Sequence, residues 1–270
     1  MRAPSPLFIL ALAAGAVPPP LAGQATADQA RLMFTVGLGM NSGGGTLWSV
    51  GNQPFLTNGE TDTLAVSRQF RRSLNVVFSG TYFPGPNLGF RAEAMLIGLG
   101  TRDACRIVAA GPSRETSDLC GSLNRSERGA TGAAISVGVV ARAWSRHVVH
   151  PYLTAQGGMV ITQQSFLKMT GEVVPDTNNP TVVADLTLYD DPGADKLHPY
   201  LGLGGGIVAV IARGYQMRFE LRDNYVRVPA VRGPTIRQNL EPRRTTVGKH
   251  LLSFSVGFDV VLERKRGRRY

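Results

Sequence analysis

From Leu32 onward the chain repeats one pattern, stretches of about ten residues in which every second side chain is apolar. Successive side chains of a strand point to opposite faces, whereas a helix would need a period of 3.6. Eight stretches follow the strand rule: 32–40, 74–83, 88–99, 133–144, 151–162, 197–211, 216–226 and 251–262. In the last, Leu252, Phe254, Val256, Phe258, Val260 and Leu262 oppose Ser253, Ser255, Gly257 and Asp259. A chain built this way is all-β, and each strand has one greasy face to bury.

The other face is the unusual one. GFRAEAMLIGLG, Gly89–Gly100, carries Arg91 and Glu93 inside an otherwise apolar run. Elsewhere Arg142, Arg218, Glu220, Arg222 and Asp259 also sit on the face opposite the apolar one. The connections alternate along the chain. Asn41–Ser73, Thr101–Gly132, Gln163–Lys196 and Arg227–His250 are long, while PGPN at Pro84, SRHVVH at Ser145 and ARGY at Ala212 are short. Long loops at one end and tight turns at the other are the asymmetry of a barrel inserted into a membrane from one side. The expected fold is therefore an eight-stranded antiparallel up-and-down transmembrane β-barrel with four long extracellular loops and short periplasmic turns.

In such a barrel the apolar face meets hydrocarbon, and a charge placed there costs roughly 2–4 kcal/mol near the midplane. Arg91, Glu93, Arg142, Arg218, Glu220, Arg222 and Asp259 must then face the lumen as a charge network. Eight strands leave room only for side chains, so the reading is a salt-bridged plug and not a pore. Arginine suits it, because its planar fork bonds carboxylates from two sides. Tyr82, Phe83, Phe90, Trp144, Tyr152 and Tyr215 cluster near short turns, where a periplasmic aromatic girdle would lie.

Residues 1–25 read as a secretory signal, with Arg2, the apolar stretch Leu7–Val17 and small residues up to Ala27 in the required order. The barrel is expected over 30–263 and a basic periplasmic tail over 264–270. The formal net charge is +10. For an exported chain this points to the phosphates of outer-membrane lipids and lipopolysaccharide and away from nucleic acid. Cys105 and Cys120 are the only cysteines, and in an oxidising compartment they read as a disulfide.

With strands, turns and signal in place, the chain resembles the small bacterial outer-membrane β-barrels, the OmpA-like transmembrane domain and its relatives. The most specific piece is SVGFDVVL in the last strand. Ser255, Gly257, Val260 and Leu262 match the arrangement that the resemblance implies is read by the barrel-assembly machinery. Leu262 stands where an aromatic residue is usual, and ERKRGRRY follows it. Thr181–Tyr189 also alternates and reads as a hairpin projecting from the third long loop, with PDTNNP as its turn. A ten-stranded barrel using part of Thr46–Phe70 is the alternative.

Little else carries chemistry. GLGGG from Gly202 lacks the last glycine of a dinucleotide fingerprint, and GKH at Gly248 lacks the rest of a phosphate loop. Neither cofactor nor metal is expected. The one enzymatic alternative is a lipid-modifying barrel using His250 with Ser253 or Ser255. A narrow channel for small hydrophobic molecules is the other. Binding is favoured over both, through Arg106, Arg114, Arg125 and Arg128 in the cysteine-bearing loop and Arg232, Arg237, Arg243 and Arg244 in the last. The expected function is a non-enzymatic structural or surface-binding envelope component. Ligand and oligomeric state are left open by the sequence.

Overall fold

The structure is a computed structural model that describes residues 31–57, 60–108, 113–129, 131–174 and 183–263. The expected signal segment and basic tail lie outside the described residues, as does the PDTNNP turn. In chain order the elements are β1 (Arg31–Asn41), β2 (Gly45–Thr57), β3 (Glu60–Phe70), β4 (Ser73–Phe83), β5 (Leu88–Gly98), β6 (Thr101–Ile107), α1 (Arg114–Arg125) and β7 (Glu127–Arg128). They continue with β8 (Thr131–Arg142), β9 (Val149–Thr162), β10 (Met169–Val173), β11 (Ala184–Tyr189), β12 (Leu197–Ala212), β13 (Tyr215–Val231) and β14 (Arg244–Glu263).

Eight of these strands close a barrel in the order β1-β14-β13-β12-β9-β8-β5-β4. Every pairing is antiparallel, and β1 joins β14 along its whole length, so the barrel leaves no free edge. The short turns fall together at one end. At ARGY, Gly214 adopts a φ of +83° that a side chain would strain, and its carbonyl accepts from Val261 N–H at 2.8 Å.

The alternation in the sequence becomes an inside and an outside. Arg91, Glu93, Arg218, Glu220, Arg222 and Asp259 are buried, while Leu38, Leu74, Val137, Leu153 and Leu203 on the outer wall are each at least 65 % exposed. Two members of the expected aromatic girdle correct that reading. Phe83 and Tyr152 are buried in the lumen, because both occupy inward positions of their strands, and Tyr82, Phe90, Trp144 and Tyr215 are the exposed ones.

The four long connections are not open loops. Thr46–Phe70 does not widen the barrel to ten strands. It forms β2 and β3 of a separate four-stranded sheet, in the order β2-β3-β6-β7. The second connection adds α1, a helix that the sequence reading missed; the Ser113 hydroxyl accepts from Thr116 N–H at 3.1 Å to cap it. The third contains the hairpin β10–β11, and in the fourth β13 and β14 stay paired out to Val231 and Arg244. Together these pieces form a cap over the end of the barrel opposite the short turns. Its apolar core, with Trp48, Phe55, Leu64, Leu119, Leu123 and Phe166, is continuous with Met95, Ile97, Val160 and Tyr200 of the barrel.

Candidate functional site

The lumen is built in three layers. At the short-turn end Met33, Phe83, Val140, Tyr152, Val208 and Val261 form an apolar cluster. At the other end the core of the cap descends into the barrel. Between them lies the ionic layer. Arg91 Nη1 donates to Glu220 Oε2 at 3.0 Å and lies 3.7 Å from Glu93. Arg222 bonds Glu93 with Nη1 and Nη2, the latter at 2.9 Å, and also reaches Glu220. Arg218 Nη2 donates to Asp259 at 2.9 Å.

β5 and β13 are four places apart around a ring of eight strands, so they form opposite walls. The bonds from Arg91 to Glu220 and from Arg222 to Glu93 therefore span the whole lumen. Three cations meet three anions, which satisfies the charge balance that burial demands. Neutral groups complete the layer. Tyr152 donates its hydroxyl to Glu220 at 2.6 Å, Gln156 Nε2 donates to Glu93 at 3.0 Å, and Tyr200 donates to Asn224 at 2.7 Å. Of these partners only Tyr152 was singled out from sequence, and as a girdle residue, although each occupies an inward position.

GLGGG makes room for this layer. Gly204 and Gly206 of β12 stand opposite Arg222 and Glu220. A Cβ on Gly204 would come within 3.0 Å of Arg222 Cβ, and one on Gly206 would collide with the Phe219 carbonyl.

Arg142 does not join the network and corrects the sequence inventory. It faces inward at the short-turn end, where its Nε donates to the Pro86 carbonyl and its guanidinium stacks 3.9 Å from the Phe83 ring centroid. Among the described side chains it forms no ion pair, and a carbonyl and a ring take the place of a carboxylate. His250 and the two serines are also separated. His250 lies on the outer side, 2.7 Å from Asp223, while Ser253 is buried in the lumen and accepts from Asn224 at 2.9 Å. Odd and even positions of one strand cannot share a face, so no His–Ser pair forms. Ser255 and Gly257 likewise face inward and Leu262 outward on β14.

The cap has its own ionic pair. Arg68 is 1 % exposed and grips Asp103 through two bonds of 2.6 and 2.8 Å. Its Nη1 and the Trp48 indole N–H both donate to the Phe166 carbonyl, at 2.9 and 3.0 Å, tying the β9–β10 connection to the sheet. Cys105 of β6 and Cys120 of α1 form a disulfide, and the Asn124 side chain bonds both backbone groups of Cys105. Asp62 accepts from the Thr116 hydroxyl, which holds its carboxyl below the usual carboxylate range. Burial opposes this and Ser113 reinforces it. Of the arginines expected to bind ligands, Arg244 is committed to Asp191 and Glu241 at 2.5 and 2.7 Å, and Arg128 to the carbonyls of Lys168 and Thr170.

The outer wall shows the complementary pattern. On the outward side of β1, β4, β5, β8, β9 and β12 no described residue is ionisable except Tyr82. On β13 and β14 the apolar series stops at Leu221 and Leu252, and Asp223, Arg227 and His250 follow beyond that line. Leu252 to Leu262 covers ten residue steps. At about 3.4 Å per step and a tilt of about 40° this rises about 26 Å, the height of the apolar band on an outer-membrane barrel.

A closed eight-stranded antiparallel barrel, apolar outside and ionic within, defines the class of inside-out barrels. No protein-family model matches the sequence, and no curated protein does. Among solved structures, similar chains include the outer membrane protein AlkL in lipid bilayers, at 12 % identity, a TM-score of 0.42 and coverage of 93 % of this chain and 98 % of that one. The outer membrane protein OprG from Pseudomonas aeruginosa gives 9 % identity, a TM-score of 0.44 and coverage of 88 % and 98 %. Neisserial surface protein A gives 11 % identity, a TM-score of 0.37 and coverage of 86 % and 96 %.

Proposed function

We propose that this protein is an integral barrel of the bacterial outer membrane. Its lumen is plugged, its folded cap is displayed at the cell surface, and it serves as a structural or surface-binding component of the envelope. The observation that carries this reading is the belt of outward apolar residues, free of charge up to the line at which Asp223, Arg227 and His250 begin. Water would penalise so large an exposed apolar surface on a soluble barrel, whereas hydrocarbon would not. The three-layered lumen favours a plug over a channel, and the separation of His250 from Ser253 and Ser255 removes the motive for an acyl-transfer enzyme. Outer-membrane lipids and lipopolysaccharide are the proposed partners of the finished barrel, and the assembly machinery acts on β14 during insertion.

Gel mobility of the membrane-extracted protein tests this reading. A folded barrel should migrate differently before and after boiling, and the protein should fractionate with outer membranes. Recovery in the soluble fraction with no shift on boiling would refute it.

A further inference from the structure

A cleft of about 360 Å³ opens outside the lumen, immediately beyond the ends of β8 and β9. Arg128, Gly129, Gln164, Ser165 and Lys168 line it. This volume falls within the range of small-molecule sites, about 300–1,000 Å³. Arg71, Arg102 and Arg244 of the cap each meet a carboxylate. Arg128 does not. Its guanidinium is half-buried and held by two main-chain carbonyls, at 3.3 and 2.8 Å, and it forms no ion pair among the described residues. Burial, with Arg68 nearby, pushes its pKa down, and Asp103 and Asp185 act in the opposite direction without cancelling this, so the fold maintains a cation there against a desolvation cost that a bound anion would offset further.

The second cation of the cleft, Lys168, is half-exposed and lies 3.6 Å from Asp190. Gln164 steadies the wall by donating to the Gly129 carbonyl at 3.3 Å. The position of the cleft is as informative as its charge. It sits where β8 and β9 leave the apolar belt, the level at which Arg71 and Arg72 precede β4 and Lys196 precedes β12, all three exposed. At that height the headgroups of the outer leaflet surround the barrel.

We propose that the Arg128–Lys168 cleft binds a phosphate group of an outer-leaflet lipid. The proposal rests on the membrane reading above and names the contact through which the envelope partner is held. Arg128 supplies the oriented guanidinium, Lys168 a mobile ammonium that can leave Asp190, and Gln164 a neutral donor.

The test uses the full-length protein folded into phosphatidylcholine nanodiscs, with bisphosphorylated lipid A as the probe. Arg128→Gln/Lys168→Gln should weaken lipid A binding by about tenfold or more, in a salt-dependent way, as expected for charge-assisted bonds. Gln164→Glu leaves the carbonyl clamps of Arg128 in place and should weaken it as well. Dephosphorylated lipid A should bind none of the three proteins. Equal binding by wild type and both variants would overturn the proposal, as would saturation of the cleft by inorganic phosphate with lipid A excluded, which would make it a site for a free anion. Proteins that enter nanodiscs and shift on boiling but bind lipid A alike fault the cleft alone. Failure to enter the bilayer faults the membrane reading beneath it.

Discussion

Arg222 carries more of the lumen than any other single residue. It bonds Glu93 on the opposite wall and Glu220 on its own strand, and its side chain is 5 % exposed. Removing it leaves two carboxylates facing one another with only Arg91 between them. Breaking a buried pair by deleting one partner costs about 3–5 kcal/mol, because the charge left behind is uncompensated. Arg222→Leu should therefore destabilise the barrel in lipid by that order, read as a lower urea midpoint at unchanged m-value, and replacing Glu93 and Glu220 with glutamine in the same chain should restore part of the loss. An unchanged midpoint in the single variant would show that the cross-lumen bonds are not structural. Period two alone told that these residues face inward. Which arginine meets which carboxylate was not legible, because Arg91 and Glu220 are 129 positions apart and meet only through closure of the ring. Arg142 shows the same limit, since nothing local announces that its partner is the Pro86 carbonyl.

At the scale of elements, the eight barrel strands could be read because each has an apolar outer face and a polar inner one, and that division writes itself into every second residue. The cap had no such signature. Its strands are short or mixed in pattern, and α1 buries Thr116, Leu119, Cys120 and Leu123 at helical spacing, but this single stripe begins on a polar threonine inside a largely polar segment that reads as a loop. Its stability comes from tertiary ties, and these make two predictions. Opening the Cys105–Cys120 link, which closes a loop of sequence separation 15, should cost about 3 kcal/mol by loop entropy. Cys105→Ser/Cys120→Ser should thus expose the cap to protease while the barrel still shifts on boiling. The second concerns acid. The pKa of Asp62 is lowered in the folded cap, chiefly by the Thr116 hydroxyl. Its stabilising contribution is therefore present above the unfolded value near 3.9 and is lost as pH falls through the lower folded value. Protection of the amides at the start of α1, taken against their intrinsic exchange at each pH, should fall below about pH 4 in wild type, and in Asp62→Asn it should be low already at pH 7 and change little with acid.

For the whole molecule, the division of labour follows from where water is. On the proposed membrane reading, hydrocarbon requires the outer belt to be free of charge, an eight-strand circumference requires the interior to be filled, and the aqueous side permits a folded cap to be built from the long connections. The central claim is that the belt from Leu252 to Leu262 and its neighbours lies in lipid. Spin labels placed one at a time at Val137, Leu203 and Leu221, and at Arg227 beyond the boundary, measure this directly in bilayers by their collision rates with oxygen and with a water-soluble nickel complex. The account predicts high oxygen and low nickel accessibility at the first three sites and the reverse at Arg227. High nickel accessibility at all four would place the outer wall in water and contradict it.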